Sequence, residues 1–175
     1  MKAVIYMKVG KPEQSFKTVD IAKPLPKSKQ VLVKVEASGI TNMEYMRFGS
    51  LGHMINIAMN ATGKPLGIEF SGIVEKVGTD VKSLKKGDEI YGLAKGYIGA
   101  WAEYVLANEK DVSAKPHSLS FEETGALATG GITALGAINS AKIQPGQQVL
   151  VQGASGGVGH YVVQLVKAYG GIVSG

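Results

Sequence analysis

The chain has 175 residues, 45% hydrophobic and 19% charged, with no cysteine and a formal net charge of +5. This composition predicts a globular protein with one or two small cores, and the missing cysteines exclude disulfides and thiolate metal sites. No window reaches the apolar length of a membrane span and MKAVIYMKVGKPEQ lacks the apolar core of a secretory signal, so no membrane partner and a cytoplasmic location are expected. Along the first 110 residues, short β-type runs alternate with turn signals: KAVIYM, VLVKVEASGI, FSGIVEKVG, EIYGLA and AEYVLAN. Pro24, Pro26, Pro65 and many glycines punctuate them, which predicts a compact, mostly β, barrel-like domain. KSLKKGD at 82–88 reads as a turn between strands, and the methionine-rich GSLGHMINIAMNATGKP between Gly49 and Pro65 reads as a loop.

The positive charge comes from eighteen lysines spread along the chain and a single arginine, Arg47. Nucleic-acid binding needs a concentrated basic face, so no nucleic-acid partner is expected; a mild preference for anionic ligands is.

The pattern changes near Pro116. Ser120 and Glu123 in SFEE form a capping box, and ETGALATGGITALGAINSAK reads as helix, broken or kinked at Gly130 and Gly131. PGQQVLVQG then gives a turn and a strand over 148–152, whose Val149, Leu150 and Val151 form the apolar run of a buried parallel strand. A helix over 158–169 follows, with Val158, Val162, Leu165, Val166 and Tyr169 at helical spacing and Gly170 and Gly171 as its stop. Ile172 and Val173 open another strand. The fold class is therefore α/β with a mostly β first domain, over 1–120, and linking helices with the first β-α-β portion of a doubly wound sheet over 121–175.

Between that strand and helix lies GASGGVG. This is the setting a dinucleotide fingerprint requires, although Ala154 stands where the first glycine of GxGxxG would be. Gly156 lets the backbone approach a pyrophosphate, and Gly159 lets the helix pack closely. The amides of Gly157 and Val158 lie at the positive end of the helix, and Ser155 adds a hydroxyl. The acidic residue that grips a ribose in NAD-specific proteins falls just beyond Gly175, and Ser174 and Gly175 supply neither an acid nor a base.

EASGITNMEYMRFG, LGIEFSGIVEKVGTDVKSLKKGDEIYG, GAWAEYV, ATGGITAL and VLVQGASGGVG, in that order, resemble a medium-chain dehydrogenase/reductase of the zinc-independent, zeta-crystallin-like quinone oxidoreductase branch. The resemblance covers the whole chain. It implies a GroES-like β domain followed by a Rossmann domain, with the remaining sheet past Gly175, so the isolated chain is expected to be incomplete as a catalyst. It also implies an NAD(P)H-dependent reductase acting on a quinone or an α,β-unsaturated carbonyl. NADPH is the expected cofactor, with NADH left open.

The catalytic ligand positions of the zinc-using branch fall on Thr41, Ile68 and Thr129, none a good zinc ligand, so a metal-free site is expected. His53, His117 and His160 read as surface or packing residues. By the same resemblance, the loop after Gly39 and Ile40 lines the substrate pocket, with Asn42 and Tyr45 able to bond a carbonyl. Thr133 contacts the nicotinamide, and Thr129 stands beside it in the cofactor site. Related reductases have asparagine directly after this Gly-Ile and aspartate three later; here Thr41 precedes Asn42, and Glu44 follows. Arg47 can hold a cofactor phosphate or pair with Glu44 or Glu69. Trp101 and Tyr104 read as packing residues. Two other classes compete: a non-catalytic dinucleotide-binding or redox-sensing relative, and a zinc alcohol dehydrogenase, which the three replaced positions disfavour. An open parallel edge on the 148–152 strand also predicts self-association into a homo-oligomer.

Overall fold

Alternation in KAVIY sets the first strand. In β1 (Lys2–Tyr6), Ala3 and Ile5 turn inward, while Lys2 is exposed and Val4 half-buried. The computed structural model describes residues 1–46, 50–58 and 61–175, in two units, Met1–Ala128 and Thr129–Gly175.

In the first unit, the short helix α1 (Pro12–Ser15) returns the chain to β2 (Phe16–Asp20), which pairs antiparallel with β1 from Lys2↔Asp20 to Tyr6↔Phe16. The runs singled out in the sequence then form β3 (Gln30–Ala37), with helices α2 (Asn42–Met46) and α3 (Ser50–Ala58) after it, followed by β4 (Glu69–Val77), β5 (Glu89–Leu93) and β6 (Tyr104–Asn108). A 3-10 turn leads to β7 (Val112–Ala114), and α4 (Phe121–Gly125) closes the unit. The five strands β6-β3-β4-β5-β7 make one antiparallel sheet, and isolated bridges Ala3↔Ala102 and Ile5↔Pro65 attach the β1–β2 hairpin. The core sits on this sheet. Val31, Val33, Phe70, Val74, Ile90, Val105 and Ala107 form one buried cluster, each large side chain contributing about 1.5–3 kcal/mol by leaving water. A second cluster of Tyr6, Ala61 and Leu66 packs Phe16 and Trp101 at its margin.

The KSLKKGD segment is a turn, as read from the sequence: Gly87 takes φ +94° and Asp88 accepts the Lys85 N–H at 2.8 Å. The methionine-rich stretch is not. Residues 50–58 are helical, so His53 stands on a helix rather than in a loop. Gly52 and Asn56, four apart, are buried along one face, and His53 Nδ1 is hydrogen-bonded to the Tyr6 hydroxyl at 2.9 Å, while Met54 and Ile57 face outward. Tertiary burial of one narrow face decided this helix, against Gly52 in its interior.

The capping box forms: Ser120 Oγ accepts the Glu123 N–H at 3.2 Å, and Glu123 accepts the Ser120 N–H at 2.7 Å. The helix break does not fall at Gly130 and Gly131. It falls at Ala126 and Leu127, where the Leu127 N–H closes a tight turn onto the Thr124 carbonyl, and α5 (Ala128–Ala141) runs unbroken through both glycines.

In the second unit, α5 is followed by β8 (Gln148–Leu150), α6 (Gly159–Ala168) and β9 (Ile172–Ser174). β8 and β9 pair parallel, Gln148↔Ile172 to Leu150↔Ser174, so the unit is a right-sized β-α-β crossover. Val151 and Val166 are buried, but Leu150 is 80% exposed. The apolar run expected to be buried is thus covered at Val151 and open at Leu150, because no third element of the unit lies over it. No helix among the described residues is long and apolar enough to cross a membrane.

Candidate functional site

The glycine loop begins where β8 ends. The Val151 N–H donates to the Ser174 carbonyl at 2.7 Å, carrying the parallel pairing one residue past the strand. Gly153 then takes φ +77°, a conformation that favours glycine, and its carbonyl accepts the Gly156 N–H at 2.9 Å to close a tight turn. The turn-making glycine is therefore Gly153, one residue before the Ala154 position singled out in the sequence. Gly159 is required for closeness: a Cβ there would run into the Gly153 carbonyl and lie 2.8 Å from Ala154 Cα.

At the other side of the loop there is room. A Cβ on Gly157 would meet nothing within 4 Å, and Ser155, Gly156, Gly157 and Val158 are exposed. Val158 caps α6 without a side-chain hydrogen bond, and among the described residues the amides of Gly157 and Val158 have no acceptor inside the protein. Unused donors at the start of a helix carry its positive partial charge, so the loop fits an anionic oxygen such as those of a dinucleotide pyrophosphate. The His160 Nδ1–H donates to the Gly156 carbonyl at 2.9 Å, fixing the imidazole over the loop's own backbone.

The first turn of α5 packs on this loop. A Cβ on Gly130 would lie 2.7 Å from the Gly157 carbonyl and 2.5 Å from the Tyr161 ring, so glycine at 130 serves contact rather than a kink. Thr129 and Thr133 stand one helical turn apart on α5, to either side of Gly130 and Gly131 in sequence. The exposed Thr133 hydroxyl donates to the Thr129 carbonyl at 2.7 Å, which leaves its oxygen as an acceptor for an outside group.

In the first unit, Asn42 is exposed at the start of α2. The side chain of Tyr45 and the whole of Arg47 lie outside the described residues. Glu44 is fully buried. One of its oxygens accepts the Thr41 N–H at 2.7 Å and also the Thr41 hydroxyl, and the other accepts the Ile68 N–H at 3.1 Å. The bonds to Thr41, three residues before Glu44, are local ones at the start of α2, and the Thr41 N–H to carboxylate bond is the glutamate half of a capping box, whereas the bond to Ile68 is a tertiary one. Two positions that carry zinc ligands in the zinc-using branch are thus tied together by a carboxylate. Glu69 is also buried, and Gly39 passes it closely enough that a Cβ there would be 2.7 Å from its carboxylate. Among the described residues, no group of three or more histidines and carboxylates is placed to hold a metal ion. Trp101 packs edge-on to Phe16 at 5.6 Å between ring centroids, and the Tyr104 ring carries the Lys23 ammonium at 3.5 Å.

The family model of the alcohol dehydrogenase GroES-like domain matches residues 27–117. A quinone oxidoreductase of Sus scrofa is 38% identical over 172 residues, covering 97% of this chain and 50% of that protein. A 2-methylene-furan-3-one reductase of Solanum lycopersicum is 36% identical over 178 residues, covering 95% of this chain and 44% of that protein. Among solved structures, the Escherichia coli quinone oxidoreductase complexed with NADPH superimposes with a TM-score of 0.81 at 27% identity, covering 99% of this chain and 51% of that one. The chain spans about half the length of the curated relatives it matches. With a mostly β GroES-like unit followed by a parallel β-α-β unit, the chain belongs to the alcohol dehydrogenase GroES-like family.

Proposed function

We propose that the protein carrying this chain is an NAD(P)H-dependent, zinc-free oxidoreductase that transfers hydride to a quinone or an α,β-unsaturated carbonyl. The observation that carries the reading is the pair of unused amides, Gly157 and Val158, at the start of α6 in a chain of this family. Ser155, Gly156, Gly157, Val158 and Gly159 hold the pyrophosphate of a nicotinamide dinucleotide, and NADPH is the form we assign, in line with the ligand of the Escherichia coli relative. When bound, the dinucleotide supplies the hydride.

The chain's own residues bind and orient. Thr133 accepts from the nicotinamide amide with the oxygen its internal hydrogen bond leaves free, and Thr129 supports it through the carbonyl that receives that bond. Asn42 and Tyr45 donate to the substrate carbonyl oxygen, where negative charge grows as hydride arrives at the alkene or quinone. Arg47 holds a cofactor phosphate. The hydride step needs no strong general acid, because solvent can protonate the reduced product afterwards. None of Thr41, Ile68 and Thr129 is a residue type that suits zinc, and Glu44 already spends both oxygens on backbone and hydroxyl donors. We place the enzyme in the cytoplasm and assign it a homo-oligomeric state, supported by the exposed Leu150 and Ile172 on the β8–β9 pair.

Steady-state oxidation of NADPH with a quinone and with an enone tests the reading. Saturable turnover with either acceptor is expected. Cofactor binding without turnover on any acceptor overturns the catalytic assignment, and absence of binding overturns the site.

A further inference from the structure

Away from every residue assigned to hydride transfer, the first unit holds a groove of about 330 Å³ between the end of β2, the turn before β4, and the loop joining β5 to β6. Its floor is apolar, with Ile21, Pro65, Ile98 and Leu106 among its walls. Its volume falls at the small end of the range of ligand pockets, about 300–1,000 Å³.

Two of its lining side chains are charged, Lys64 and Lys95, both exposed, no acidic side chain lines it, and Met1 adds the terminal ammonium, which already donates to the Ile21 carbonyl at 2.8 Å. Neither lysine has a carboxylate within ion-pair distance among the described residues. Elsewhere on the same unit lysines do find carboxylates: Lys23 meets Glu75 at 3.1 Å, Lys34 meets Glu36 at 2.8 Å and Lys115 meets Glu89 at 3.2 Å. An apolar cleft edged by two unmatched ammonium groups complements a molecule with a hydrocarbon body and one negative end. Lysine stems also extend the apolar walls while keeping the charge in water.

We propose that this groove binds a small amphipathic carboxylate, its hydrocarbon or aryl body on Ile21, Pro65, Ile98 and Leu106 and its carboxylate between Lys64 and Lys95. The site is independent of the cofactor loop and of turnover. Binding deepens with chain length, about three- to fourfold for each methylene that enters the groove, until the floor is filled.

Isothermal titration of the chain with hexanoate, octanoate and octanol tests it. We expect one saturable site for octanoate, at least tenfold tighter than octanol, and tighter than hexanoate. The double variant Lys64→Ala with Lys95→Ala should lose at least tenfold for octanoate while its affinity for octanol stays within twofold. Both substitutions are at exposed positions, and an unchanged far-ultraviolet dichroism spectrum confirms the fold. Equal affinity for octanol and octanoate, an octanoate affinity untouched by the double variant, or no saturation at all each overturns the proposal.

Discussion

The Ile68 N–H donates to the buried Glu44 carboxylate at 3.1 Å, across 24 residues of sequence. The same carboxylate holds Thr41 by its amide and its hydroxyl. Removing it leaves these donors facing a hole. Glu44→Ala should therefore destabilise the chain by roughly 2–4 kcal/mol, combining lost charge-assisted hydrogen bonds with unmatched buried donors. Glu44→Gln keeps the shape and one acceptor oxygen but turns an NH2 donor toward the Ile68 or the Thr41 N–H, so it should fall between wild type and alanine. Urea unfolding of the three proteins measures this order, and an alanine variant as stable as wild type would contradict it.

The residue types at Thr41, Ile68 and Thr129, the positions that the resemblance matches to zinc ligands, lead to a second expectation. Elemental analysis of protein purified without chelator should find well under one zinc per chain. A tightly held full equivalent would mean that a metal site has been misread.

Within the glycine loop, neighbouring glycines should respond differently. Gly159→Ala places a Cβ against the Gly153 carbonyl and should cost roughly 1–3 kcal/mol of stability through overpacking. Gly157→Ala meets open space and should leave stability within about 0.5 kcal/mol. Gly156→Val puts a branched side chain where phosphate oxygens approach, and should weaken cofactor binding at least tenfold, about 1.4 kcal/mol. Thermal melts and fluorescence titration with NADPH separate the two effects. Identical behaviour of Gly157→Ala and Gly159→Ala in the melts would refute the packing role.

Glu109 gives a pH-dependent expectation. The Ser83 hydroxyl at 2.7 Å, then the Ser83 and Lys82 amides at 2.6 and 2.8 Å, hold its carboxyl below the usual glutamate range. Its folded value lies under its unfolded one, so its contribution is full above the unfolded value and is lost as pH falls through the folded one. Glu109→Gln should lose stability at neutral pH and approach wild type in acid. Melting temperatures across the acid range check this, and parallel curves for the two proteins would count against it.

Much of the architecture was legible because its signals are local. The β-type runs KAVIY and VLVKV, the Ser120–Glu123 box, the Gly87 turn and the loop between β8 and α6 each depend on residues within a few positions of one another. Such patterns act before any tertiary contact forms. Strand β2 was not legible: FKTVD is mostly exposed, and it is a strand because β1 supplies its partner. The three residues of β7 likewise owe their state to β5. Helix α3 lacked a sequence signal strong enough to outweigh Gly52, and burial of Gly52 and Asn56 on one face settled it. At the site, the glycine spacing announced a phosphate-sized opening, but which glycine turns the chain, which one packs and which one faces open space depended on carbonyls and rings brought in from elsewhere. Glu44 shows the same division. Its capping of Thr41 is written in a three-residue spacing, whereas its burial and its hold on Ile68 exist only because the sheet carries β4 past α2, and a hydrogen bond of that span has no trace in local sequence.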